Sequence, residues 1–184
     1  GSDLLYFEAD NPAYKPEIGH SLHEMIGTVV DTNGSKFKVG EQVLCVPYRQ
    51  MGLQERFVCT EKQAIAVDTR PDLREALLAQ PLGTVLFATR RLPNLLGLNV
   101  AVIGQGPMGQ LWNCTLKQLG CRQIVGVDLN AERLEVSPQM GATDILQVSA
   151  GQSDEEIAAE VQKTLGGQKP DLVIECVGHR EQVV

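Results

Sequence analysis

The stretch at residues 99–128, NVAVIGQGPMGQLWNCTLKQLGCRQIVGVD, constrains this chain more than any other. A β-branched run at 100–103 stops abruptly at Gly104, and further glycines stand at Gly106 and Gly109. An amphipathic segment at 108–119 follows at once. The pattern reads as strand, tight turn, helix. A second short apolar strand at 124–127 ends in an acid, Asp128.

Each residue type has a mechanical reason for its place. Gly104 permits the turn off the strand, Gly106 lets the backbone approach a pyrophosphate, and Gly109 lets the helix pack close to the strand. Pro107, Met108 and Gly109 open the helix, whose N-terminus offers unpaired N–H groups and the positive end of its dipole to phosphate. Asp128, at the tip of the second strand, can accept hydrogen bonds from both hydroxyls of an adenosine ribose. A 2′-phosphate there would meet a like charge, so the site should favour NAD over NADP. Three glycines alone could equally be ordinary turn residues. The strand before them, the helix after them and the acid beyond them make a dinucleotide site the better reading.

The rest of the chain continues the alternation. After residue 128 the spacing predicts a helix at 130–140, a strand at 144–146, a helix at 153–165 and a strand at 172–176, and so an α/β, doubly wound parallel sheet. Four strands of that sheet are in hand, where such sheets usually have six. Upstream, residues 1 to about 20 are polar and proline-bearing. Short strands are expected at 25–30, 42–46, 55–59 and 64–67, with turns at Asn33-Gly34 and Val39-Gly40, which make a small all-β unit. Helical spacing at 72–79 is followed by Pro81 as an interruption and a second helix at 84–92. The domain boundary is therefore drawn at 90, with one domain at 1–90 and another at 91–184.

With 184 residues, 43% of them hydrophobic, the chain can bury one sizeable core or two small ones. A net charge of −7, with no run of Lys or Arg to offset it, argues against nucleic acid or an anionic membrane surface as partner. No apolar run approaches the ~18 residues of a membrane helix, and the N-terminus lacks a signal core. Five scattered cysteines, without a CxxC pair, fit reduced thiols in the cytoplasm better than a disulfide framework or a zinc ribbon.

A second informative block, His23-Glu24-Met25-Ile26-Gly27-Thr28-Val29, is followed by Phe37-Lys38-Val39-Gly40-Glu41-Gln42-Val43. In this order, with Ala79-Gln80-Pro81 and then the glycine turn, the chain resembles the medium-chain dehydrogenase/reductase family, in particular its zinc-type alcohol and polyol dehydrogenases. The resemblance covers nearly the whole chain. It implies a GroES-like β catalytic domain followed by a truncated Rossmann domain.

The resemblance also assigns roles. His23 looks like the imidazole ligand of a catalytic zinc, with Glu24 as a neighbouring or transiently coordinating carboxylate. Asp3 would orient the His23 ring, and Ser2 would relay the substrate proton. The opening Gly1-Ser2-Asp3 fits the segment just after the family's first cysteine ligand, or a cloning scar before a native Asp3. His20 offers a rival register, without a glycine four residues on. Gln80 stands where the family usually has Cys or Glu as third ligand, and an amide oxygen is a poor donor to Zn²⁺. Thr84 matches a position against the nicotinamide ring, Arg133 one near the adenosine ribose, and Val177-Gly178 the loop under the cofactor. The four-cysteine lobe of many relatives is replaced by a short connection at 48–54, so no structural zinc is expected.

The implied activity is zinc-assisted hydride transfer between NAD and a small-molecule secondary alcohol or polyol, by a homo-oligomer when full length. Gln80 motivates an alternative, a zinc-free reductase of the quinone-reductase type. The missing ligand and strands motivate another, a non-catalytic nucleotide-binding protein.

Overall fold

A computed structural model of the chain describes residues 17–68 and 72–178. Two compact units divide it, Gly1–Pro81 and Leu82–Val184. Ser2 and Asp3 lie outside the described residues.

In the first unit, β1 (Met25–Thr28), β2 (Gln42–Cys45) and β3 (Ala64–Ala66) form an antiparallel sheet in the order β1-β2-β3. Met25 pairs with Cys45 and Cys45 with Ala64, so the apolar faces of the three strands coincide. Phe37, Val43, Cys45 and Ala64 make the core, with Met25, Val29, Phe57 and Cys59 packed on it. Gly40, at φ +93°, turns the chain into β2 and donates its N–H to the Val29 carbonyl at 2.8 Å.

The strand expected at 55–59 does not form. Phe57 and Cys59 satisfy their apolar alternation by packing on the core, while both edges of β2 are already taken by β1 and β3.

Asp72 caps α1 (Leu73–Leu77) by accepting the Arg74 N–H at 2.8 Å. The Arg74 guanidinium beside it holds the Asp72 carboxyl below the usual carboxylate range. The expected interruption at Pro81 is also corrected, because α2 runs unbroken over Ala79–Thr89. Pro81 falls in its first turn, where a missing N–H breaks no helical bond.

The second unit is a four-stranded sheet of β4 (Asn99–Ile103), β5 (Gln123–Asp128), β6 (Asp144–Gln147) and β7 (Leu172–Glu175). All pairs are parallel and the order is β6-β5-β4-β7. The helices between them are α3 (Pro107–Gln118), α4 (Ala131–Val136) and α5 (Asp154–Thr164).

Alternation along the strands builds the layers. Val100, Val102 and Ile124 join Trp112 and Leu116 of α3 in one cluster, while Ala101, Val125 and Val127 join Val161 and Leu165 at α5 in another. Strands buried on both faces are the reason these runs are continuously apolar. Helix α4 stops at Val136, short of the expected 140, because Pro138 lacks the N–H that a continuing helix would need. Successive crossovers lead from β4 through β5 to β6 on one side, whereas β7 lies on the other side of β4. The chain order therefore reverses at β4, which opens the crevice where doubly wound sheets take their ligands. No helix of the described residues is long and apolar enough to cross a membrane.

Candidate functional site

The turn after β4 stands at that crevice. Gly104 adopts φ +90°, and a Cβ there would lie 2.8 Å from Val177 Cγ2 and 3.0 Å from the Cys176 carbonyl carbon. Glycine is thus required both by backbone conformation and by the close passage of the loop after β7. At Gly109 a Cβ would overlap the Gly104 carbonyl oxygen, so the helix start and the strand end are in backbone contact.

Gly106 differs from both. Its φ is −69°, open to any residue, and no atom of the fold lies within 4 Å of where its Cβ would be. Neither backbone nor packing calls for a glycine here, so its side-chain-free face is left for something outside the fold.

Helix α3 begins at this point. Gly106 is its N-cap and provides no capping side chain, while Pro107 occupies the first turn. The first N–H groups of a helix have no intrahelical acceptor, and together with the dipole they favour an anion. Pro107 and Met108 lie in the first turn, and Met108 packs onto the core cluster beneath.

Asp128 closes the site from β5. One carboxylate oxygen accepts the Gln105 N–H of the turn at 2.6 Å, and the other accepts the Asn130 N–H at 2.8 Å. The side chain is 8% exposed, and Arg133 Nη1 lies 3.7 Å from the oxygen that faces the turn. Each carboxylate oxygen has further acceptor capacity, so a fixed, negatively charged acceptor stands at the edge of the turn.

The loop after β7 is tied by Glu175, whose carboxylate accepts the N–H of Val177 and, at 2.9 Å, that of Gly178. Gly178 adopts φ +79°. Burial and the neighbouring Glu175 charge push the Cys176 thiol up to about 11.

Sequence reasoning misses one set of residues altogether. Beneath the turn lies a buried polar cluster of Gln105, Asn113 and Ser137, each at most 1% exposed. A Gln between two glycines and an Asn within a helix carry no periodic signal that would join them.

In the first unit His23 Nε2 lies 3.9 Å from Glu24 Oε1, and both side chains are partly exposed. The backbone just before them is forced, with Ser21 at φ +105° and Leu22 at φ +63°. Ser21 is held by its N–H to the Gln50 carbonyl and by its own carbonyl to the Gly52 N–H, both at 2.9 Å. His20 precedes that pair, and its N–H donates to the Glu17 carbonyl at 2.9 Å. Gln80 is the second residue of α2 and Thr84 lies one helical turn beyond it.

The family's zinc can be tested against these donors. His23 and Glu24 are spaced so that two donors could share one ion, yet among the described residues no three His, Cys, Asp or Glu come together. Gln80 adds only a neutral amide. The described residues do not fit a complete zinc sphere.

A glycine turn at the switch point of a parallel sheet, preceded in the chain by a small antiparallel β unit, defines the class: a GroES-like domain followed by a Rossmann domain. Residues 107–183 match the family model described as zinc-binding dehydrogenase. Sorbitol dehydrogenase of Bos taurus is 41% identical over 104 residues, which are 56% of this chain and 29% of that protein. Among solved structures, galactitol-1-phosphate dehydrogenase from Escherichia coli aligns with a TM-score of 0.76 at 22% identity, covering 97% of this chain and 58% of that one. The 2R,3R-butanediol dehydrogenase from Bacillus subtilis aligns with a TM-score of 0.64 at 26% identity, covering 85% and 51%. Over residues 107–183 this chain is similar to the zinc-binding dehydrogenases, and it spans 29% of that sorbitol dehydrogenase and about half the length of those solved structures.

Proposed function

We propose that this chain is part of an NAD-dependent oxidoreductase that interconverts a small polyol or secondary alcohol and its ketone. The observation that carries the reading is Gly106, a glycine that the fold itself does not need, at the mouth of an uncapped helix N-terminus. Bound there, NAD would supply the hydride acceptor or donor.

The chain's own residues hold and orient it. Gly104 shapes the turn, and the backbone N–H groups of Gly106, Met108 and Gly109 at the start of α3 would serve the pyrophosphate. The Asp128 carboxylate accepts from the adenosine ribose and disfavours a 2′-phosphate, with Arg133 at its side. Gly104 packs against Cys176 and Val177, and Val177 and Gly178 would form the floor under the cofactor. On the family resemblance, His23 and Glu24 would offer a polar pair to the reacting oxygen and Thr84 would serve the nicotinamide ring. Identity to sorbitol dehydrogenase over 104 residues favours a polyol. Five free thiols favour a reducing compartment such as the cytoplasm.

The test is calorimetric titration of the full-length protein with NADH and NADPH, followed by oxidation assays with polyols. Tight NADH binding that is lost in Gly106→Val supports the reading. Binding unaffected by that change refutes it. Gln80 favours a second reading, a reductase of the same fold that works without zinc. Turnover by full-length enzyme shown to be zinc-free by metal analysis would establish that one.

A further inference from the structure

We infer that Gln105 is a positioning residue of this site: its buried amide fixes the glycine turn, and its backbone N–H fixes the carboxylate that chooses the cofactor. The inference rests on the dinucleotide reading above.

Gln105 lies between Gly104 and Gly106 and is 1% exposed. Every polar group it has is engaged. Its N–H donates to Asp128 at 2.6 Å, and its carbonyl accepts from Gln110 Nε2 at 3.1 Å. In the side chain, Nε2 donates to the Val102 carbonyl at 2.8 Å. Oε1 accepts from Asn113 Nδ2 at 2.6 Å and from Ser137 Oγ at 2.8 Å. One amide thereby ties the end of β4 to α3 and to the residue that ends α4.

The neighbouring strand is built around this amide. A Cβ at Gly126 in β5 would lie 2.8 Å from Gln105 Oε1 and 2.9 Å from its Cδ. A glycine in the middle of a buried strand is unfavourable, and here it makes room for the amide.

The same cluster reaches the other charged group of the site. Gln110 Nε2 also donates to the Arg133 carbonyl at 2.9 Å and to Ser137 Oγ at 3.0 Å. Asp128 is thus held through the Gln105 backbone, and the Arg133 backbone through Gln110. A tight turn alone could use any small residue at 105. Burying an amide there is unfavourable unless it is hydrogen-bonded, and the bonds of both its ends hold the turn in one geometry.

The experiment uses full-length protein and the variants Gln105→Met, which keeps volume but removes the amide, and Ser137→Ala, which removes one of the bonds to that amide and the hydroxyl's bond from Gln110. Val161→Ala, buried at α5 on the opposite face of the sheet, serves as the stability control. Affinities for NADH and AMP are measured by calorimetry, melting temperature by circular dichroism, and KM and kcat for NAD by assay.

The inference predicts that Q105M weakens both ligands about tenfold and S137A about threefold, as loss of the buried bonds that hold the turn should. It also predicts that KM for NAD rises more than kcat falls. V161A lowers the melting temperature with affinities within about twofold of wild type. If Q105M melts lower yet binds both ligands like wild type, Gln105 is core packing and the inference fails. Should Q105M not fold, S137A with unchanged affinities overturns it equally. Wild-type protein that binds neither NADH nor NADPH refutes the underlying dinucleotide reading instead, which separates the two failures.

Discussion

Gly109 and Gly106 lie three residues apart in one turn, and the structure assigns them opposite kinds of necessity. In Gly109→Ala the new methyl would overlap the Gly104 carbonyl oxygen, a backbone atom that cannot swing aside. Helix α3 must then retreat from β4 by roughly 1 Å, and a gap of that size forfeits a quarter to a half of each contact's dispersion well. Trp112 and Leu116 are the buried α3 side chains that pack in the cluster beneath. Each contributes about 2 kcal/mol by burial, so their loosening, with the overpacking itself, should cost about 3 kcal/mol. For a protein of this size that is a fall in melting temperature of about 6–12 °C.

Gly106→Ala meets nothing within 4 Å and needs no unusual φ, so its stability should stay within about 0.5 kcal/mol of wild type. Its NADH affinity should fall at least about tenfold, because the methyl occupies the face the pyrophosphate backbone contact needs. Urea denaturation and calorimetric titration of both variants check the pair. A G109A protein as stable as wild type would refute the packing argument. A G106A protein that binds NADH normally would refute the ligand argument, whatever G109A does.

Asp128→Ser should move cofactor preference toward NADP by about 2 kcal/mol, or roughly thirtyfold, since a like charge disappears and Arg133, 3.7 Å away, is released toward the 2′-phosphate. The ratio of kcat/KM for the two cofactors measures it. Burial, aided by the Cys59 thiol, pushes Cys45 up to about 12, and Cys176 stands at about 11. Both should resist iodoacetamide in native protein at about pH 8 and react once urea unfolds it, as peptide mass mapping would show. Glu156 caps α5 by accepting the Ser153 N–H at 2.9 Å, and that bond holds its carboxyl below the ordinary range. A lowered folded-state value means stability that is present above the unfolded pKa and lost as pH falls through the folded one. Glu156→Gln should therefore flatten the acid limb of a urea-stability profile, and an unchanged limb would refute the assignment.

Much of the second unit was legible because its signals are local. The β-branched run of β4, the glycines and the acid at the end of β5 each follow from chain geometry within a few residues, and the strands form within two residues of where the pattern puts them. The segment at 55–59 misleads because alternation reports burial, not pairing. Phe57 and Cys59 are packed inward without a free strand edge to join. Pro81 misleads because its effect depends on position within a helix that the residues before it start. The tie between Asp128 and the turn was out of reach for a different reason. The residue type at 128 is visible, but the 2.6 Å bond to the Gln105 N–H exists only once β4 and β5 pair side by side.

Each unit places part of its backbone cost at its candidate site. In the second, Gly104, Gly109 and Gly126 are demanding positions within or against the turn, beside Gly120 and Gly141 elsewhere. In the first, forced non-glycine backbone occurs at Ser21 and Leu22, immediately before His23, and at Arg49 and Gln50, and a Cβ on Gly52 would overlap the Leu22 carbonyl oxygen. Non-glycine residues at such φ values persist only when their surroundings over-determine them, and such residues cluster where a ligand is handled. The bonds from Ser21 to Gln50 and Gly52 are that over-determination. They fix the direction from which His23 and Glu24 enter β1, independently of any metal. A backbone that aims this pair would also serve a polar substrate-orienting pair. Relaxing the aim with Leu22→Gly, while leaving both side chains in place, should then raise KM for the alcohol more than KM for NAD. Equal changes in the two would show that the strained segment serves folding alone.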